Sequence, residues 1–451
     1  MLPLLGTQLK TPMGKTGVIF RAFTLPATEL GRQPVDEIHL VDTNMYLADY
    51  YHPKLTEDLW WAEVEALFTP EESCVFEFGL TVFGTGRLYV DDELLIDNET
   101  TQRSGGSFFN VGTVEEKGTK KLNGGQTYKI KVLYASGITS KLTDADGVVS
   151  FGGGGLRIGG AIVVDPQVEI EKAVKLAKSV DQVVLFMGLN SDFEQEGHDR
   201  LHMDLPGLSN ELITAVAAAN DQVVVVLQSG TPVSMPWASS VAGIIQAWYG
   251  GNETGNAIAD ILYGDMNPSG KLPLSFPIHV TDNPAYLNYR SDRGRVLYGE
   301  DVYIGYRYYE SAKRKTQFAF GWGLSYTTFQ LSNLQISLST PQSLTISVLV
   351  TNTGPRDGAE VIQVYISQCA SSIGRPVKEL KGFTKVFLKT GARTAGCVTI
   401  ERKYATSFWD EERDAWIEEK GKYDVLVGTS SVDTPLRGSF YVEETSWWRG
   451  L

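Results

Sequence analysis

The sequence predicts a multidomain protein of α/β plus β class: a β-sandwich, a partial α/β sandwich with parallel strands, and a second β-sandwich. Three observations predict it. Short alternating runs bounded by Gly, Asn and Asp fill residues 16 to 164. From about residue 166, strand-like and helix-like periods alternate, as βαβ units do. From about residue 325 the period of two returns. A chain of 451 residues suits about two to four domains.

In the first region, Glu77-Phe78-Gly79-Leu80-Thr81-Val82 and Tyr128-Lys129-Ile130-Lys131-Val132 alternate, and the many short strands imply a sandwich or barrel. Arg87-Leu88-Tyr89-Val90, Asp91-Asp92-Glu93 and Leu94-Leu95-Ile96 read as a tight hairpin. In the second region, Ile170, Ala173, Val174 and Ala177 mark one helix face. A strand follows at Gln182 to Met187, then a helix carrying Leu208, Leu212 and Val216. Val223 to Leu227 and residues 243–248 read as further strands, and Ala257, Ile258, Ile261 and Leu262 as a last helix. These strands are apolar on both faces, so both faces should be covered. In the third region Leu344, Ile346, Val348 and Val350 alternate, as do Tyr423, Val425 and Val427, giving a sandwich of immunoglobulin-like size.

Composition narrows the function classes. Hydrophobic residues at 42% and charged residues at 21% are ordinary for globular protein. A net charge of −14, with no Lys/Arg cluster, argues against a nucleic-acid surface. No run of 18 apolar residues offers a membrane-spanning helix. The first residues lack a signal-peptide pattern. Compartment and oligomeric state stay open, secretion of a longer form included. Asn98-Glu99-Thr100 and Asn252-Glu253-Thr254 match the glycosylation triplet.

Cys74, Cys369 and Cys397 form neither a zinc pattern nor a disulfide framework. Three buried thiols are expected, with a Cys369–Cys397 pair open if their strands are neighbours. No metal or cofactor is expected. His198 and His202 stand four apart without a His-Glu-x-x-His pattern, and the Gly-rich residues 151–157 have no phosphate-loop signature. That Gly-rich stretch is expected to be a flexible connection. Asp91-Asp92 reads as a hairpin turn rather than a calcium site. Trp409-Asp410 and Trp416 read as core aromatics and a turn, and the Tyr-rich run 303–309 as packing at a domain junction.

The densest functional signal follows the apolar run Val183-Val184-Leu185-Phe186-Met187. Residues 188–200 hold Asp192, Glu194, Glu196 and Asp199 beside Arg200. Open α/β sheets place ligand chemistry at the carboxyl ends of their strands, and carboxylates there invite acid/base work.

This loop, with Trp248-Tyr249-Gly250-Gly251-Asn252-Glu253-Thr254-Gly255-Asn256-Ala257, Gly264-Asp265-Met266-Asn267-Pro268-Ser269-Gly270-Lys271-Leu272-Pro273, Tyr303-Ile304-Gly305-Tyr306-Arg307-Tyr308-Tyr309 and Phe320-Gly321-Trp322-Gly323-Leu324-Ser325-Tyr326, closely resembles the C-terminal half of family 3 glycoside hydrolases. The resemblance covers nearly the whole chain. It implies a protective-antigen-type β-sandwich insert over residues 1–165, the C-terminal portion of the family's α/β sandwich over 166–324, and a fibronectin type III-like domain over 325–446. It implies a β-glucosidase-type activity that retains anomeric configuration, on a β-glucoside or short oligosaccharide, through two carboxyls about 5–5.5 Å apart. The family's acid/base glutamate maps onto Glu196, with Asp199 and Arg200 as a structural pair. The bland alternative is a solvated Glu196 paired with Arg200. Phe108 and Phe109 match a loop that reaches over the active-site mouth, and are candidate substrate-binding walls or else core residues.

The family's nucleophile lies in a Ser-Asp-Trp motif on a (β/α)8 barrel, and no such motif occurs in this sequence. Ser191-Asp192-Phe193 belongs to the acid/base loop. The resemblance therefore implies a family 3 enzyme cut near its middle and inactive by itself, by gene truncation or a misplaced start. A non-catalytic carbohydrate-binding protein built from the two sandwiches is the alternative. A strand edge and helix face of several hundred Å² left uncovered would forfeit on the order of 5–10 kcal/mol. Residues 166–324 expressed alone are thus expected to aggregate, and a protease-resistant, monodisperse fragment would contradict this.

Overall fold

A computed structural model describes residues 1–142, 153–196, 199–340 and 342–450. The chain divides into two compact units, Met1–Leu176 with Asn190–Arg200, and Ala177–Leu189 with Leu201–Leu451.

The first unit is an antiparallel sandwich of β1 (Leu9–Lys10), β2 (Val18–Phe23), β3 (Asp36–Leu40), β4 (Asn44–Tyr46), β5 (Trp61–Phe68), β6 (Cys74–Phe83), β7 (Thr85–Val90), β8 (Glu93–Asn98), β9 (Glu116–Leu122), β10 (Tyr128–Ala135) and β11 (Gly155–Ile162). One sheet runs β3-β2-β5-β10-β7-β8, with β1 also paired to β5, and the other runs β4-β11-β6-β9. Alternation dictates the core. Phe20, Val64, Leu88, Ile130 and Val132 pack in one cluster with Phe78, Leu80, Val82, Leu156 and Ile158, each 2% exposed or less. The intervening residues face outward, where Arg21 and Lys129 pair with Glu65. Burial would raise the Glu65 carboxyl, but these two cations hold it below its usual range.

Asp91 and Asp92 form the two-residue β7–β8 turn with φ of 51° and 65°, the primed geometry that matches strand twist. The expected flexible connection is corrected where it is described. Gly155–Arg157 open β11 in register with β4 and β6. Gly154 has φ 142°, and a Cβ there would come within 1.8 Å of the buried Tyr134 hydroxyl. That hydroxyl donates to the Phe83 carbonyl and accepts from the Gly155 N–H, a clamp that a loose loop could not make. Phe151 and Gly152 lie outside the described residues. Asn98 is fully buried and donates to Leu80 O and Thr113 Oγ1, so the asparagine of the first glycosylation triplet is interior, whereas Asn252 is exposed.

Helix α1 (Pro166–Ala177) keeps Ile170, Ala173, Val174 and Ala177 on its least exposed face. In the second unit, β12 (Val183–Gly188), β13 (Val223–Gln228) and β14 (Gly243–Gln246) form a parallel sheet in that order, with α2 (Ser209–Ala219) and α3 (Thr254–Tyr263) between and after them. Strand β13 is the centre, with Val223, Val225, Val226 and Leu227 at 1% exposed or less. The expectation that both faces are covered fails at β12. Val184 is 40% exposed and Phe186 62%, because β12 is an edge strand whose alternate residues face no packed element of the described chain.

The second sandwich pairs the sheet β17 (Phe329–Thr340), β18 (Ser343–Asn352) and β21 (Arg393–Glu401) with β20 (Glu379–Leu388), β19 (Gly358–Gln368), β24 (Gly421–Gly428) and β25 (Leu436–Val442), after a small pair β15 (Phe276–Pro277) and β16 (Thr316–Phe318). Leu344, Ile346, Val348, Val350, Tyr423, Val425 and Val427 form its core, each at 1% exposed or less. A third sheet joins β22 (Phe408–Asp410), β23 (Ala415–Glu418) and β26 (Ser446–Trp448).

Two further expectations are corrected. Cys369 and Cys397 are free and exposed and Cys74 is half-buried, because Cys397 falls on the outward register of β21 and Cys369 lies just beyond β19. Trp409 is 42% exposed rather than core. It lies opposite Trp416, which lies opposite Trp448, so the three indoles form a cross-strand row on a small sheet.

Around β20, Glu379 contacts Arg375, Arg307 and Lys381. Burial opposes its ionisation, but the three cations prevail and hold its carboxyl below the ordinary range. A depressed folded value means stability that is present above the unfolded carboxylate range, about 4.3, and is lost as pH falls through the folded value. Denaturation followed from about pH 6 to pH 3 should show this acid limb in the intact chain, and Glu379→Gln should flatten it.

Candidate active site

The carboxyl ends of the three parallel strands converge on a polar cluster. The β12–β13 ladder ends at Gly188 opposite Gln228, and Leu189 N–H still donates to Gln228 O at 2.9 Å. A Cβ on Gly188 would sit 2.2 Å from Gln228 O, so only glycine permits this approach. At the end of β14, Gln246 Nε2 donates to Ser229 O at 3.0 Å and to Ser229 Oγ at 3.2 Å. Tyr249, half exposed, donates its hydroxyl to Leu189 O at 3.2 Å. Its neighbour Trp248 turns the chain at φ 56° and packs edge-on against Phe276 at 6.2 Å.

From Leu189 the chain enters the carboxylate loop, which groups with the first unit. Asn190 shapes it. Its Oδ1 accepts from Asp192 N–H at 2.9 Å, and its carbonyl accepts from Phe193 and Glu194 N–H at 2.9 and 3.0 Å. This tight turn separates the acidic side chains. Asp192 is largely buried, 3.2 Å from the Met1 amino group, and Glu194 is half-buried. Glu196 is exposed at the end of the turn, the most solvent-accessible of these three carboxylates. Asp199 is exposed and Arg200 half-buried, and each has interaction partners. His198 lies outside the described residues. Among those described, no group of three His, Cys, Asp or Glu could hold a metal ion.

The aromatic loop belongs to the same unit. Phe108, Phe109 and Asn110 take φ of 53°, 55° and 69°, a run of left-handed backbone that non-glycine residues adopt at a cost. Phe108 stacks on Tyr46 with centroids 5.7 Å apart, and its ring fills the space that Gly112 and Gly155 leave open. Phe109 is tilted against Tyr46 at 5.8 Å and is 47% exposed. Phe108 is thus half-buried in packing contacts, whereas Phe109 is the more exposed of the two. Met1 touches both loops, since Ser107 Oγ lies 3.5 Å from its sulfur. Sequence reasoning missed Tyr46. Its signal was present in Asn44-Met45-Tyr46, where buried Met45 forces its neighbour outward.

Several motif residues turn out to stitch the fold. Asn267 Oδ1 accepts from Ser325 Oγ and Tyr326 N–H, both at 2.8 Å, while its Nδ2 donates to Asp357 O. Lys271 pairs with the buried Glu360 at 2.8 Å and donates to Gly323 O. In α4 (Tyr306–Ser311), Tyr306 stacks on Phe320 at 4.8 Å, and its hydroxyl accepts from Leu380 N–H, tying the Tyr-rich run to the second sandwich.

An antiparallel sandwich, a parallel α/β segment followed by an acidic loop, and a second sandwich make this a modular protein of α/β plus β class. Three family models match the chain: the glycosyl hydrolase family 3 C-terminal domain over residues 99–326, the PA14 domain over 14–164 and the fibronectin type III-like domain over 360–431. The chain belongs to glycoside hydrolase family 3. It is 53% identical over 457 residues to a probable beta-glucosidase I of Aspergillus clavatus, an alignment that covers 100% of this chain and 54% of that protein. It superposes on a crystal structure of the beta-glucosidase from Kluyveromyces marxianus with a TM-score of 0.95 and 42% identity, covering 100% of this chain and 54% of that one. A second structure of that enzyme, in complex with glucose, gives a TM-score of 0.93 at 42% identity, covering 100% and 53%. The chain thus spans about half the length of the relatives it matches.

The aromatic loop yields a stability test. Phe108→Ala should cost about 1–3 kcal/mol by urea denaturation, whereas Phe109→Ala should stay within about 0.5 kcal/mol. Equal losses at the two positions would contradict the division of roles.

Proposed function

We propose that this chain carries the acid/base half of a retaining β-glucosidase site, with Glu196 as the general acid/base. The substrate is a terminal, non-reducing β-D-glucosyl residue in a glucoside or short oligosaccharide. One observation carries the reading: Glu196 is the exposed carboxylate of a tight turn leaving the carboxyl end of a parallel strand. The names of the relatives support the substrate class. In the first step Glu196 gives a proton to the glycosidic oxygen, and in the second it takes one from water. The chemistry needs a second carboxylate as nucleophile, and no metal or cofactor. Phe109 serves as an aromatic wall for the leaving sugar, with Phe108 and Tyr46 behind it. The same reading divides the chain at residues 165/166 and 324/325.

A second reading, non-catalytic carbohydrate binding by the first sandwich, draws on the exposure of Phe109 at 47% and Tyr46 at 38%.

The 451-residue chain alone should show no turnover of an aryl β-glucoside. Joined to the N-terminal portion of the Aspergillus clavatus relative, it should become active, and Glu196→Gln should lower kcat by about 10²–10⁴-fold. That loss should shrink for aglycones that leave without a proton. Undiminished turnover by the joined Glu196→Gln variant would sink the catalytic assignment. Glycan binding by the chain alone that survives Glu196→Gln and disappears in Phe109→Ala would favour the second reading.

A further inference from the structure

The second unit contains a cavity of about 210 Å³, bounded by Tyr306, Tyr309, Glu310, Lys313, Arg314 and Ser431. Its volume equals the bulk share of about seven waters, which suits a molecule of single-sugar size. It falls below the range of about 300–1,000 Å³ usual for larger ligands.

Glu310 decides what could bind. Its side chain is 16% exposed, and one carboxylate oxygen, Oε2, lies 3.2 Å from Lys378 Nζ. The other, Oε1, is buried and makes no hydrogen bond of ordinary geometry, although the Ser431 hydroxyl on the same wall interacts with the carboxyl. A buried acceptor left unmatched costs about 1–3 kcal/mol, so a donor in the cavity is favoured. Lys378 cannot turn to it freely, because its ammonium also donates to Ser431 O.

Charge restricts that donor. A cation would lie beside Lys313 and Arg314, and an anion would lie against Glu310. Arg314 is already paired with Asp282 at 3.0 Å. A neutral hydroxyl satisfies Oε1 without meeting either repulsion. Tyr306 and Tyr309 contribute apolar ring atoms to the lining, with one face of Tyr306 already stacked on Phe320. We propose that this cavity binds a neutral polyhydroxylated molecule of single-sugar size, a free monosaccharide, with Glu310 Oε1 accepting one of its hydroxyls. The proposal does not depend on the role of Glu196.

D-Glucose titrated into the full chain, followed by saturation-transfer NMR, tests it. Saturable binding is expected. In Glu310→Gln the amide oxygen can stay with Lys378 and present its NH₂ to the ligand, turning an acceptor into a donor, so affinity should fall about tenfold or more. Val432 is 64% exposed on the rim, so Val432→Trp narrows the mouth without entering the core and should weaken binding likewise. Glu196→Gln should leave this binding unchanged. The proposal is overturned by no saturable binding in the unmodified chain, by binding that either cavity variant retains, or by binding lost in Glu196→Gln.

Discussion

The register of the β12–β13 ladder is the constraint on which the rest of the site depends. Six residue pairs run unbroken from Val183 opposite Val223 to Gly188 opposite Gln228, and Leu189 adds a last bond. Beyond it the chain leaves the ladder and enters the acidic loop. Gly188 admits the close approach, and Tyr249 holds the Leu189 carbonyl. Asn190 then spends its side chain and carbonyl on the turn. The position of Glu196 follows from these backbone bonds rather than from contacts of its own carboxylate.

Much of what makes the sequence resemble its family serves cohesion. Asn267, Lys271 and Tyr306 each spend their polar atoms on segments distant in sequence. Such polar bonds, part-buried at Lys271 and Tyr306, contribute modest net stability and favour one arrangement of strands and connections. The proposed chemistry, by contrast, is concentrated in one short loop.

Charge is used in two ways. On the first sandwich, Glu65 is shared by Arg21 and Lys129 at the outer surface, where solvent screening limits its worth. Around Glu310 and Glu379 the ion pairs are buried, and their desolvation cost is recovered only through multiple partners. Glu379 has three cations and is held ionised, whereas burial raises the Glu310 carboxyl despite Lys378. One Glu310 oxygen, beside the cavity, makes no hydrogen bond of ordinary geometry.

Local pattern determined the three regions, the Asp91-Asp92 turn, the inward faces of both sandwiches and the loop that bears Glu196. Each rests on periods of two or 3.6 residues, or on backbone chemistry at neighbouring positions. Tertiary structure alone decided that Phe109 is more exposed than Phe108, that Tyr46 packs against both, that Asn98 is interior and that Cys369 and Cys397 face outward. It also decided that β12 has an open face and that Gly153–Gly155 form a clamp. These outcomes depend on which segments become neighbours across the fold, and burial is a property of those neighbours, which no local period encodes.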